Sequence, residues 1–259
     1  MTTDLRSIGL DYPQWQEAIQ AAIGTEHLSV IGEVRGGQLV RFEDPSGARL
    51  HILGVEPYST FAGYAGRSTV TAHVSSLDDV LALVEIVEDN PLADNYDEVI
   101  ATATCALAQG PLLVDEGTQT FEHVSLSALA TETALYKDAE AYTKVIGAEP
   151  KIQEFTGAEA VVGAKAGTAA PSAEAHLAGV ITSATKKVNE LTQQSYWELS
   201  LDLPFAMDVL VSDADMQPEV GNVIAGTFLL TGDILAPSGC GGGCGDGGCG
   251  CGDGGCGGH

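Results

Sequence analysis

The sequence predicts a mainly β protein, barrel- or sandwich-like, with one N-terminal helix and a disordered Gly/Cys-rich C-terminal tail. Three observations lead there. Short apolar or alternating runs recur along the chain, separated by breaks rich in Gly, Pro and Asp, the pattern of strands joined by turns. Helical periodicity is clear in one place only, near the N-terminus. At Pro237 the composition changes abruptly, and the 22 residues beyond it contain no side chain able to build an aliphatic core.

The helix comes first. Asp11, Tyr12 and Pro13 set up its start, with Pro13 tolerated in the first turn, and Gly24 supplies its stop. Between them Trp15, Ala18, Ile19, Ala22 and Ile23 recur three or four residues apart and form one apolar face. Runs at 27–34, 38–42 and 48–55 follow as a three-stranded meander. Its turns are Arg35-Gly36-Gly37 and Asp44-Pro45-Ser46-Gly47, both with hairpin chemistry. Residues 68–74 alternate and read as a strand. The stretch 77–87 suits either a helix capped by Ser75 or Ser76 or a buried strand, and is read as a strand after an Asp78-Asp79 turn. Residues 98–108 and 111–114 form a further pair around Gln109-Gly110.

The block Asp115-Glu116-Gly117-Thr118 divides the body into an N-terminal helix-plus-meander domain, 1–115, and a second β domain, 116–237, read as a small Greek-key barrel. All five arginines precede this block and all six lysines follow it. Beyond it, 121–135 fits strand or helix, 163–173 reads as an exposed loop, and strands are expected at 175–187, 190–203, 205–211 and 222–230.

Charge excludes some functions. Eleven Lys+Arg against 36 Asp+Glu give a formal charge of −25 over 259 residues, so broad contact with nucleic acid or an anionic membrane is not expected. No basic run leads into an apolar stretch at the start, and no window of about 18 apolar residues occurs. The expectation is a soluble cytoplasmic protein with reduced thiols.

The body offers little chemistry. Cys105 lies in an apolar strand-like run and reads as a small buried hydrophobe. His27, His51, His73, His123 and His176 are scattered without metal-ligand spacing, although His51 and His73 could meet on one sheet face. Trp15 and Trp197 read as core anchors. Asp78-Asp79 and Asp213-Ala214-Asp215 read as turns, and Gly221, Gly226 and Gly232 as bends or bulges rather than a phosphate cradle. Neither a nucleophile elbow nor a phosphate-binding loop occurs, so a non-enzymatic role is favoured while an enzymatic one stays open.

The tail is different. Residues 238–259 comprise thirteen Gly, five Cys, two Asp, one Ser and one His. Gly243-Cys244-Gly245-Asp246-Gly247-Gly248-Cys249 is followed at once by Gly250-Cys251-Gly252-Asp253-Gly254-Gly255-Cys256, the same seven-residue unit. Thiolate is the preferred donor for soft ions, and imidazole also suits zinc. Glycine lets a chain turn sharply enough to wrap several thiolates round one ion. Cys240, Cys244, Cys249, Cys251, Cys256 and His259 are therefore the candidate ligands for zinc or copper(I), with the metal supplying the ordering energy. Asp246 and Asp253 are poor ligands for copper(I) and serve solubility. An odd number of tail cysteines disfavours a disulfide framework. Two alternatives stay open at this point. The tail resembles the Gly/Cys-rich core regions of ribosomally made peptides, which implies a precursor whose cysteines a modifying enzyme cyclises or cross-links. Alternatively, the tail is incidental to a structural or interaction module with a protein partner.

Overall fold

In a computed structural model the described residues are 3–92, 94–147 and 172–236. The chain opens with α1 (Thr3–Arg6) and α2 (Trp15–Ile23), then runs through β1 (Leu28–Val34), β2 (Gly37–Glu43), β3 (Ala48–Leu53) and β4 (Ser59–Tyr64) as a four-stranded antiparallel meander. The β1–β2 turn needs two residues at positive φ, and Arg35 (49°) and Gly36 (79°) supply them, the two-residue geometry that matches strand twist. At the β2–β3 turn the Gly47 amide donates to the Asp44 carbonyl (2.8 Å) with Gly47 at φ 104°.

The rest of the body is a closed barrel. Its strands are β5 (Thr69–Ser76), β6 (Leu81–Val87), β7 (Val99–Leu107), β8 (Gln119–Tyr136), β9 (Glu174–Val188), β10 (Ser195–Leu201), β11 (Asp208–Ser212) and β12 (Val223–Ile234). They close in the order β10-β11-β8-β5-β6-β7-β12-β9. Across the middle, β8 and β12 also pair with each other, antiparallel, from Val124↔Ile234 to Tyr136↔Val223. This bridge splits the closure into two circuits that share the β8–β12 ribbon: β5, β6 and β7 complete one, and β9, β10 and β11 the other. The length of β8 follows from this sharing. Its early residues pair with β5, later ones pair in parallel with β11, and its opposite edge serves β12. Strands β5–β7 come from before the expected 115–116 boundary and β8–β12 from beyond it, so one barrel draws on both sides.

The interior is continuous through both circuits. Its small members include Ala72, Ala82, Ala103, Cys105 and Ala128, and its larger ones Ile86, Leu126, Phe205, Phe228 and Leu230. Gly226 sits beside the β12 bulge at Thr227/Phe228. A Cβ there would lie 2.1 Å from the Glu132 carbonyl oxygen, at φ 151°, so only glycine fits. A second cluster fastens meander to barrel: Phe42, Ala48, Leu50, Ala62 and Tyr64 pack between Ala18 and Ala22 of α2 and Tyr196, Leu129 and Leu210 of the barrel. Asp208 completes the join from the barrel side. Its carboxylate accepts from the Arg67 and Ser68 amides (2.7 and 2.9 Å) and from Ser68 Oγ (3.0 Å), pinning the β4–β5 connection.

Mainly β holds, with helix confined to short segments. Two element readings change and one is resolved. Residues 111–114 are not a strand; α3 (Gly110–Leu113) occupies this stretch, with Pro111 in its first turn where a missing N–H costs nothing. Pro13 precedes α2 instead of lying in it, because Gln14 is the N-cap, and Gly24 caps the helix at φ −72°. The ambiguous 121–135 is wholly strand, within β8. The expected exposed loop at 163–173 lies mostly outside the described residues, and the tail from 237 lies wholly outside them.

Candidate functional site

The candidate ligands Cys240, Cys244, Cys249, Cys251, Cys256 and His259 fall outside the described residues. The platform from which they extend is described. At the end of β12 the Gln109 side chain bonds both backbone groups of Ile234: its Oε1 accepts from the Ile234 amide (3.0 Å) and its Nε2 donates to the Ile234 carbonyl (3.0 Å). The same Nε2 donates to Asp233 Oδ1 (2.6 Å). One residue on, the Leu235 amide donates to the His123 carbonyl (2.8 Å). The chain thus leaves the barrel from a strand end whose main chain is fixed on both sides.

Beneath that exit lies an ionic network joining barrel and meander. Asp233 pairs with Arg49, both side chains being about nine-tenths buried. Arg49 also donates through Nε to Glu43 (2.8 Å), and Arg41 lies 3.4 Å from Glu43 and 3.8 Å from Asp233. His51 sits one register step along the same face, opposite Arg41, and stacks on Phe61 with ring centroids 5.0 Å apart. It is 1% exposed, and neither imidazole nitrogen finds a hydrogen-bond partner among the described residues. Burial, with the Arg49 and Arg41 charges adding to it, pushes its pKa down to about 3, so the ring is neutral at physiological pH.

The remaining histidines are dispersed. His73, on β5, belongs to a different sheet from His51; its Nε2 lies 3.0 Å from Asp97 Oδ1, and its Nδ1 accepts from the Phe121 amide at 3.3 Å. His123 is exposed beside the chain exit, with Nδ1 3.5 Å from the Thr71 hydroxyl, which itself donates to Asp89 (2.7 Å). His176 lies near Thr227, Nδ1 to Oγ1 3.0 Å. His27 lines a cavity of about 400 Å³ with Glu26, Asp44 and Glu190, but the Asp44 carboxylate there is saturated by the Ser46, Glu190 and Leu191 amides.

Among the described residues no group of three or more His, Cys, Asp or Glu side chains is placed to hold a metal ion. A base–orienter pair exists in His73–Asp97, yet no hydroxyl or thiol hydrogen-bonds to that imidazole among the described residues, so it lacks the nucleophile of a catalytic triad. Cys105 is fully buried in β7 and burial pushes its thiol up to about 12, so it is a packing residue. A cavity of about 270 Å³ between α1 and β8 contains Arg6, whose guanidinium is already engaged by Asp215 (3.1 Å) and Asp11 (3.6 Å).

The turn acids have structural duties. Asp78 Oδ1 accepts from the Val80 and Leu81 amides (2.7 Å each), and Asp79 forms a two-point pair with Arg35 (2.7 and 3.1 Å). Asp213 accepts from Trp197 Nε1 (2.7 Å) and pairs with Lys186 (2.7 Å), which holds its carboxyl below the usual range. Trp15 and Trp197 are partly buried against the two main apolar clusters.

Sequence reasoning missed the Gln109 clamp and the Arg49–Asp233 join. Both link residues more than 120 positions apart, and no local pattern marks such a pairing. No helix among the described residues is long and apolar enough to cross a membrane. Comparison with protein-family models, curated proteins and solved structures finds no match to the chain.

Proposed function

We propose that this protein binds a thiophilic metal ion, zinc or copper(I), through Cys240, Cys244, Cys249, Cys251, Cys256 and His259, and serves in its cytoplasmic sequestration or delivery. The observation that carries this reading is the duplicated unit Gly-Cys-Gly-Asp-Gly-Gly-Cys, which places four of the five tail thiols at repeated spacing with glycine on both sides of each. Four ligands complete a tetrahedral zinc site, and the surplus thiols permit either ligand exchange or a thiolate-bridged cluster. The barrel acts as the carrier. Its Gln109 clamp supports that role by giving the metal-binding segment a fixed point of attachment.

The test is an anaerobic copper(I) titration of the reduced full chain, followed by thiolate-to-metal charge-transfer absorbance. A saturating band that disappears when the five tail cysteines are replaced by serine supports the proposal. A band that survives the replacement, or none in the parent, overturns it. The intact mass of protein from native cells separates the precursor reading: a mass below that of the sequence, by units of cysteine dehydration, would assign the tail to enzymatic modification instead.

A further inference from the structure

The stretch 68–136 contains twelve Asp and Glu residues and no Lys or Arg. It spans β5 to β8, one side of the barrel. Among the described residues, its ion pairs are Arg35–Asp79, contributed from the meander, and His73–Asp97. Most of its carboxylates therefore make no ion pair among the described residues.

The same side of the barrel carries exposed apolar side chains. In the β6–β7 connection and the strands beside it, Leu92, Tyr96, Val99, Ile100 and Phe121 are between 41% and 93% exposed. Phe121, Tyr96 and the backbone of the connection are fixed by specific contacts. Phe121 and Asp97 adopt φ values of 57° and 66°, unusual for residues other than glycine, and both meet the His73 imidazole. Phe121 packs edge-on against that ring (4.9 Å between centroids) and Tyr96 stacks parallel to Phe121 (6.0 Å, 7°). The connection is braced by its own backbone bonds, from the Glu88 amide to the Glu98 carbonyl (3.0 Å) and from the Asp97 amide to the Glu88 carbonyl (2.9 Å). Aromatic faces are thus presented in a pre-set orientation, in a connection that also carries exposed Asp94 and Glu98.

We propose that this face, centred on Tyr96, Phe121 and the His73–Asp97 pair, docks a partner protein through a basic segment in which Lys or Arg alternates with apolar side chains. Charge complementarity selects that occupant. A second copy of this chain would bring another acidic face, and phosphate-bearing nucleic acids and anionic membranes are repelled. Cations gain from the aromatic faces as well as from the carboxylates, while Leu92, Val99 and Ile100 take the apolar side chains. Rings already oriented by the His73 bonds lose little freedom on binding. This inference does not depend on the tail reading.

The probe is a synthetic peptide of alternating lysine and leucine, titrated into the full chain by calorimetry, with amide chemical shifts mapping the contact. Expected are saturable binding that persists at about 0.15 M salt, where exposed charges more than roughly 8 Å apart are largely screened, and shifts concentrated at 94–100 and 121. Tyr96→Ser and Phe121→Ala should each weaken binding on the order of tenfold, with Val220→Ser, an exposed apolar residue elsewhere, leaving it unchanged. Shift mapping on the parent protein decides the matter should either variant fold poorly. Four results overturn the proposal: equal binding of a lysine-only peptide, shifts spread over all acidic surfaces, self-association of the chain that Tyr96→Ser abolishes, and binding to anionic vesicles.

Discussion

Cysteine and histidine occur in two settings in this molecule. In the body, Cys105 and His51 are buried, neutral and surrounded by packing partners. In the tail, five cysteines and His259 stand in a sequence otherwise made of Gly, Asp and Ser. The chemistry a side chain offers is set by its surroundings. Burial removes the thiolate from Cys105 and the proton from His51.

Thiol reactivity gives the largest expected contrast. With its pKa near 12, Cys105 has a thiolate population at pH 8 roughly a thousandfold below that of an ordinary thiol. A thiol reagent added to reduced, metal-free native protein should therefore titrate five of the six cysteines, the sixth reacting only on denaturation. Prompt reaction of all six would break the comparison.

Stability should follow the same division. Replacing Arg49 by Ala leaves the buried Asp233 carboxylate with only the Gln109 hydrogen bond and the more distant Arg41, and should cost about 2–3 kcal/mol. Cys105→Ser buries a hydroxyl among apolar side chains and should cost about 1–3 kcal/mol. Gly232→Ala should act similarly, since its Cβ would lie 2.9 Å from Cys105 Sγ. Serine at the five tail positions should shift the stability of metal-free protein by no more than about 0.5 kcal/mol. Denaturant midpoints measure all four.

The pH dependence sharpens the histidine half. His51 has a folded pKa near 3, below its ordinary value of about 6.5. Between those values the unfolded chain takes up a proton that the folded protein does not. The contribution of His51 is therefore complete above pH 6.5 and declines as pH falls through that window, by up to about 1.4 kcal/mol per pH unit. His51→Phe should flatten the acid limb of the stability profile. An unchanged slope would mean that the imidazole is less isolated from protons than its burial implies.

Much of the fold was legible because its strands carry local signals. The 27–55 meander was marked by its turn residues, and the strand beginning at Leu81 by the Asp78-Asp79 turn before it. Helix α4 (Ala139–Ile146), capped by Asp138 and ended by Gly147 at φ 81°, was not read from the sequence, because it is short and follows a long strand. The β4 strand lacks a strong alternation and was unassigned. The β8–β12 bridge was beyond local reading, since its register joins residues up to 110 positions apart, Val124 with Ile234. The acidic, aromatic face was half visible: the partition of Arg and Lys is written in the sequence, but the meeting of Asp97 and Phe121 at His73 depends on the barrel.

Elemental analysis is the most direct test of the tail proposal. Full-length protein, the five-serine variant and a chain ending at Ala236 would be purified anaerobically, without chelator, from the same zinc- and copper-supplemented cells. The account predicts bound metal in the first at about one ion or more per chain, and background levels in the other two. Equal metal content in all three would contradict it and assign any bound ion to the acidic body.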